Sequence, residues 1–486
     1  MTPPEHIREV HSHSPLISLG TFVLAILLIV NMATYYMGKH AMWSDVVVVF
    51  SELAIASIAI AFAHRRWFTW CNIFLGLMAL FHIGYYLPAK LGLVPEQLLL
   101  PTSGPTADTA LLIFGAAILS FALGCSFTRP PVVSERRVYI RCHPARAKVA
   151  LRCGLIITGF SFACGLIFIM QIGGPLAILH FTYSDFYSFF TINGAETTRY
   201  ADSFLGLSPI GLLLIYFGLA AAMASKRHFR VWSACTIFTI IGTLFFGLRG
   251  FVLLLVLGWA YLRHHMVARL NIKVVVALLL GIVIVIPWVG QHRNEHAYDA
   301  NALSDVKLDA LAPVVAMGYT YRSFYAMFEV LSDGTQPLNG LSYYEAIKRL
   351  VPLSGSQNAT GFQRTSLWIN ELANPLDLAK NGAFGSSGIG EPFVNFGYPG
   401  VVLFFVLIGW GSSALESSFL NKGSVIAGAM LTGIIIPMGF YVRDDMSGTL
   451  RTCVWIWLLL LAVSKYDSFA AALGHDEEPI ILKREE

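Results

Sequence analysis

From Ile17 to Met37 the chain runs without one charged side chain. A stretch of that length matches what a helix needs to cross the roughly 30 Å hydrocarbon layer of a bilayer. Inside that layer no water satisfies the backbone, so each crossing segment must close its hydrogen bonds within a helix. Comparable runs recur along the sequence, and together they specify an all-α polytopic membrane protein. The composition agrees: 56% of residues are apolar and 13% charged, against about a quarter charged in soluble domains. The first run follows a polar start, MTPPEHIREVHSHSP, and exceeds the apolar core of a signal peptide, so it is expected to stay in the mature chain.

About twelve spans are predicted, near residues 16–37, 44–63, 69–88, 108–127, 149–171, 206–225, 231–248, 250–262, 273–290, 398–420, 424–441 and 450–464. The eighth is short, so it is either tilted or continued past Arg263. Residues 1–486 read as one integral membrane domain. The basic segments HRRW (64–67), TRPPVVSERRVYIRCHPARAK (128–148), KRHFR (226–230) and LRHHMVARLNIK (262–273) all fall on one side of this map. The positive-inside rule makes that side cytoplasmic. The opposite, periplasmic side then receives the loops 172–205 and 291–396. The second, about 105 residues long, far exceeds an ordinary connection, which marks it as functional.

A thirteenth span over 311–331 is rejected, because Arg322 would sit mid-bilayer and the C-terminal basic residues would change sides. That stretch reads instead as an amphipathic helix at the outer interface, with a shorter one at 343–352. None of the seven cysteines falls in the large outer loop, so neither a disulfide framework nor a CxxC metal site is available there.

On the outer side the map places Arg199, Arg249, Arg293, Arg322, Arg349, Arg364, Arg443 and Arg451, more arginines than lysines. The guanidinium fork binds phosphate bidentately and keeps its charge, so these residues are candidates for a phosphate or pyrophosphate ligand; the plainer alternative is pairing with loop carboxylates or lipid head groups. Arg249, in FFGLRGFVLLL, and Arg443 and Arg451, in YVRDDMSGTLRT, are the best placed, since helix ends hold them rigidly. Asp444 and Asp445 are positioned to neutralise the latter two.

Inside the spans, Glu52 and His82 lie at similar depth and are expected either to pair structurally or to relay protons. The aromatics of 172–205 suit an interfacial belt or sugar stacking. Glu391, in GSSGIGEPFVNFGYPG, precedes a proline that suits the first turn of a helix. The proline pushes Glu391 itself towards an extended backbone, while Gly385, Gly388 and Gly390 permit close approach of a ligand. A carboxylate beside arginines has the parts for glycosyl transfer from a pyrophosphate-linked sugar: a base for the attacking hydroxyl and cations for the leaving group. An N-cap or ion-pair role is the alternative.

The many spans, the large late loop, GLRG at Arg249 and GSSGIGEPFVNFGYPG entering the next span resemble the O-antigen polymerase (Wzy-type) family. The resemblance implies a membrane glycosyltransferase (GT-C-like) architecture in the bacterial inner membrane. The residue reading takes Glu391 as the catalytic base, with Arg199, Arg249, Arg293, Arg322, Arg443 and Arg451 binding the pyrophosphate. The expected substrates are undecaprenyl-pyrophosphate-linked oligosaccharides. Membrane lipid and a chain-length regulator (co-polymerase) are the expected partners; no nucleic acid, cofactor or metal is expected. An O-antigen ligase, with His292 or His296 as base, and a transporter or flippase of lipid-linked sugars remain as alternatives.

Overall fold

The computed structural model describes residues 15–36, 45–64, 66–94, 100–128, 144–174, 194–245, 249–271, 273, 312–350, 364–375 and 385–472. Among them every regular element is a helix. In chain order they are α1 (Pro15–Tyr36), α2 (Asp45–His64), α3 (Trp70–Lys90), α4 (Pro105–Ser126), α5 (Pro144–Gln171), α6 (Gly194–Ala221), α7 (Lys226–Phe245) and α8 (Arg249–Leu262). Then come α9 (Ala312–Gly318), α10 (Thr320–Ser332), α11 (Leu341–Lys348), α12 (Thr365–Ala373), α13 (Gly390–Leu420), α14 (Val425–Tyr441) and α15 (Met446–Ala472).

Among the described residues, seven helices are long and apolar enough to cross a membrane, and three shorter apolar helices cover 20–36, 49–64 and 425–441. The predicted span at 231–248 falls largely on α7. The eighth continues past Arg263 through a π-helical turn to Val267. The predicted span at 273–290 lies outside the described residues apart from residue 273.

α4 is the hub. It packs against α1, α2 and α13, while α5 pairs with α6 and α14 joins that pair to the rest. The α4–α13 crossing is close because Gly124 faces the carbonyl of Val406 and Gly409 faces that of Phe121; a Cβ at either position would collide with backbone. Such small-residue contacts suit helices in lipid, where packing substitutes for the hydrophobic drive. α13 is kinked at Gly397 (φ 65, ψ −158), a conformation that favours glycine, next to Pro399. Its long limb therefore begins at Tyr398, where the sequence placed the start of the span.

Three expectations are corrected. The loop at 172–205 is helical from Gly194 onward, because α6 extends beyond its apolar run. The stretch 311–331 forms α9 and α10 rather than one interfacial helix, and it packs on protein: Tyr321, Phe324, Met327 and Phe328 are buried, and α10 lies against α3, α4, α12 and α13. Glu52 does not pair with His82. Its carboxylate accepts from Asn31 at 3.3 Å, whereas His82 bonds the Met78 carbonyl and, at 2.9 Å, the Ser387 hydroxyl.

Sidedness is tested by thiol labelling of single-cysteine variants in intact cells and spheroplasts. Residues introduced within 128–148 are expected to react only from the cytoplasm, and those at 340–375 only from outside. Cytoplasmic labelling at 340–375 would overturn the outer site.

Candidate functional site

The turn YVRDDMSG joins α14 to α15, and the segment GSSGIGEP runs beside it. Ser386 N donates to Arg443 O at 3.3 Å, Gly388 N to Val442 O at 3.3 Å, and the Tyr441 hydroxyl to Gly388 O at 2.8 Å. Gly388 needs its missing side chain for this pairing, since a Cβ there would meet the Tyr441 carbonyl, and Gly390 is similarly pressed against Met327. These two glycines therefore serve approach of chain to chain, not of chain to ligand as the sequence implied.

Glu391 lies in the first turn of α13, helical rather than extended, and is 1% exposed. Its Oε1 accepts from Thr365 Oγ1 at 3.0 Å and its Oε2 from Met446 N at 2.8 Å. Ser342 supplies a further hydrogen bond. One carboxylate thus ties together the starts of α12, α13 and α15 and the first turn of α11. Its neighbour Asp445 does similar work. Oδ2 accepts from Ser366 N (3.3 Å) and Ser366 Oγ (2.8 Å), and Oδ1 accepts from Ser447 N (3.2 Å) and the Ser447 hydroxyl. Both carboxylates satisfy free amides at helix starts, where negative charge is favoured.

Around this scaffold the arginines gather. The Arg443 guanidinium lies over the Phe81 ring, 5.8 Å from its centroid. Its Nη1 is 3.6 Å from where a Cβ on Gly250 would stand, at the start of α8. Arg349 is made easier to deprotonate than usual, first by burial and then by neighbouring Arg364, with Arg451 adding to the effect against Asp445 and Glu345. Arg349, Arg364, Arg443 and Arg451 therefore come together about one turn. Arg349 and Arg364 were visible in sequence only as members of the outer arginine excess; nothing local distinguished them.

Asp444 is half-buried, and its Oδ1 accepts from Asp445 N at 2.9 Å. Burial, and secondly Asp445, push its pKa up to about 6, against the pull of Arg364 and Arg443. Among the remaining candidates, Arg322 is half-buried in the first turn of α10. Arg249 opens α8 and Arg199 lies in the first turns of α6, but their side chains are outside the described set, as is all of Arg293. His292 and His296 also lie outside the described residues.

The described helices define a polytopic membrane protein with arginines and carboxylates collected at one end of its bundle. A model of the O-antigen polysaccharide polymerase Wzy family matches residues 18–469, nearly the whole chain, and the chain belongs to that family. Neither a curated protein nor a solved structure matches it.

Proposed function

We propose that the chain polymerises lipid-linked oligosaccharide repeat units on the periplasmic side of the bacterial inner membrane. The growing glycan is moved from undecaprenyl pyrophosphate onto an incoming lipid-linked unit: the acceptor hydroxyl attacks the donor's anomeric carbon, and the lipid pyrophosphate leaves. The observation that carries this reading is the convergence of Arg349, Arg364, Arg443 and Arg451 on the turn holding Asp444 and Asp445. Guanidinium groups that repel, as Arg349 does Arg364 and Arg451, hold together more readily with a multiply charged anion among them, and pyrophosphate fits their fork geometry. Arg443 stands beside the start of α8, whose free amides add to an anion site. Arg249 opens that helix, and together with Arg199, Arg293 and Arg322 it stays within the proposed binding set.

Glu391 remains the first proposed base. Its oxygens are already engaged by Thr365 and Met446, one bond each, so a sugar hydroxyl has to reach a remaining lone pair on a carboxylate that is almost fully buried. Asp444 supplies a second reading: it is more exposed, it feels the charges of Arg364 and Arg443, and its pKa is near that of a working general base. In that reading Glu391 is a positioning residue that holds the turn in place.

The test is purified protein with a defined lipid-linked repeat unit. A ladder of products is expected. A single transfer to lipid A-core with no ladder would make the chain a ligase, and translocation of the lipid-linked sugar without bond formation would make it a flippase.

A further inference from the structure

At the opposite end of the bundle, away from Glu391, helices α2, α3 and α13 bring three ligand-type side chains into one buried place. His64 closes α2, Cys71 lies in the first turn of α3, and Glu416 lies near the far end of α13. They are 5%, 0% and 0% exposed, and one donor atom from each lies within 4.8 Å of the others. The polymerase reading uses none of them.

The partners of each group bear on what this place holds. Glu416 Oε1 accepts from Trp70 N at 2.7 Å and Tyr261 Oη at 2.9 Å, while Oε2 accepts a longer bond from Cys71 N at 3.4 Å. All three donors are neutral, and Oε2 keeps lone-pair capacity. Ser413 Oγ lies 2.9 Å from His64 Nε2 and also bonds the Cys125 carbonyl (3.0 Å) and the Thr128 hydroxyl. With the imidazole as donor in the first of these contacts, its remaining lone pair is on Nδ1. A ring N–H held by a fixed oxygen is the usual support of a metal-bound histidine. Cys125, at the end of α4 and also fully buried, has its thiol beside that of Cys71, outside the close group of three, and donates it to the Gly409 carbonyl at 3.4 Å.

We infer that His64, Cys71 and Glu416, with Cys125 in the fourth position, bind a divalent transition-metal ion of zinc type that clamps the inner ends of α2, α3, α4 and α13. One nitrogen, two sulfurs and one carboxylate oxygen form a borderline-soft, four-donor set that suits zinc and disfavours magnesium or calcium. Binding replaces the thiol protons, which leave to solvent, and the cation offsets a carboxylate otherwise buried among neutral donors. The ion sits at the other end of α13 from the arginines, so its role is structural. It also departs from the metal-free sequence expectation, because Glu416 lies hundreds of positions beyond the other three ligands and no local spacing announces the set.

The experiment uses full-length protein in detergent, purified without a metal-affinity step from cells grown with added zinc. Elemental analysis is expected to give about one zinc per chain, and Cys71→Ser and His64→Ala to fall below about a tenth of that. Because those variants are at risk of misfolding, the wild type is also stripped with chelator and refilled. Its melting temperature should fall and recover, and cobalt refilling should produce a thiolate-to-cobalt charge-transfer band that Cys71→Ser lacks. Wild-type protein without stoichiometric metal and with a melting temperature indifferent to chelator would overturn the inference and leave Glu416 as a cap on α3. Metal content unchanged in a folded Cys71→Ser would overturn it equally.

Discussion

Replacing Arg443 with lysine is expected to cut polymerisation about 10²- to 10³-fold, nearly as far as replacing it with alanine. Lysine restores the charge but not the planar fork, and Arg443 is positioned by features that depend on that plane: stacking over Phe81 and a lateral approach to Gly250 at the start of α8. The leaving pyrophosphate gains charge as the glycosidic bond breaks, so the loss should fall mainly on turnover rather than on donor affinity. Arg349, Arg364 and Arg451 share the anion in the same reading. Each single Lys variant should therefore be impaired, and pairs should fall short of additivity because the groups act on one ligand. Turnover of a lipid-linked repeat unit, measured on folded purified variants, decides the matter. Full activity of Arg443→Lys would show that only bulk charge is needed, or that the anion lies elsewhere.

How much of this site the sequence revealed depends on the range over which each signal acts. Spans are legible because a bilayer imposes length and apolarity on each segment separately, and the start of the long limb of α13 could be placed from Gly397 and Pro399 alone. The pairing of GSSGIGEP with YVRDDMSG was not legible, since it joins segments more than fifty positions apart through backbone bonds such as Ser386 to Arg443. The same limit explains the misassigned partner of Glu52: depth along two spans suggested a common level, but rotation about the helix axes decides which side chains meet, and it turned Glu52 towards Asn31. Arg349 and Arg364 follow this pattern. Their significance comes from α11 and α12 being drawn onto one turn by Glu391 and Asp445, which no local spacing encodes. The glycines around Glu391 were seen correctly as sites of close approach, but not what approaches them.

Asp444→Asn and Glu391→Gln, compared on the same preparation, are expected to separate chemistry from architecture. If Asp444 is the base, polymerisation should rise with pH and reach half its maximum near the point where Asp444 ionises, about 6. Asp444→Asn should remove that limb and lower turnover about 10²- to 10⁴-fold. The effect on stability runs the other way. A carboxylate whose folded value is raised from 3.8 to about 6 binds its proton more tightly in the folded state, so its ionisation costs stability as pH climbs through that interval, and the cost persists above it. The asparagine variant carries no such cost, so near neutral pH it should melt at or above the wild-type temperature while remaining inactive. Glu391→Gln has the opposite signature if its work is positioning. A carboxamide offers one acceptor oxygen where Thr365 Oγ1 and Met446 N now use two, so the variant should lose about 0.5–2 kcal/mol, as for a lost helix cap, and keep the pH limb of the wild type. If Glu391 is itself the base, its glutamine variant loses turnover by the larger factor and the pH limb with it, and Asp444→Asn stays active. Melting temperature and a pH–rate profile on both variants distinguish the assignments, and wild-type rates in both would remove the two carboxylates from the chemistry.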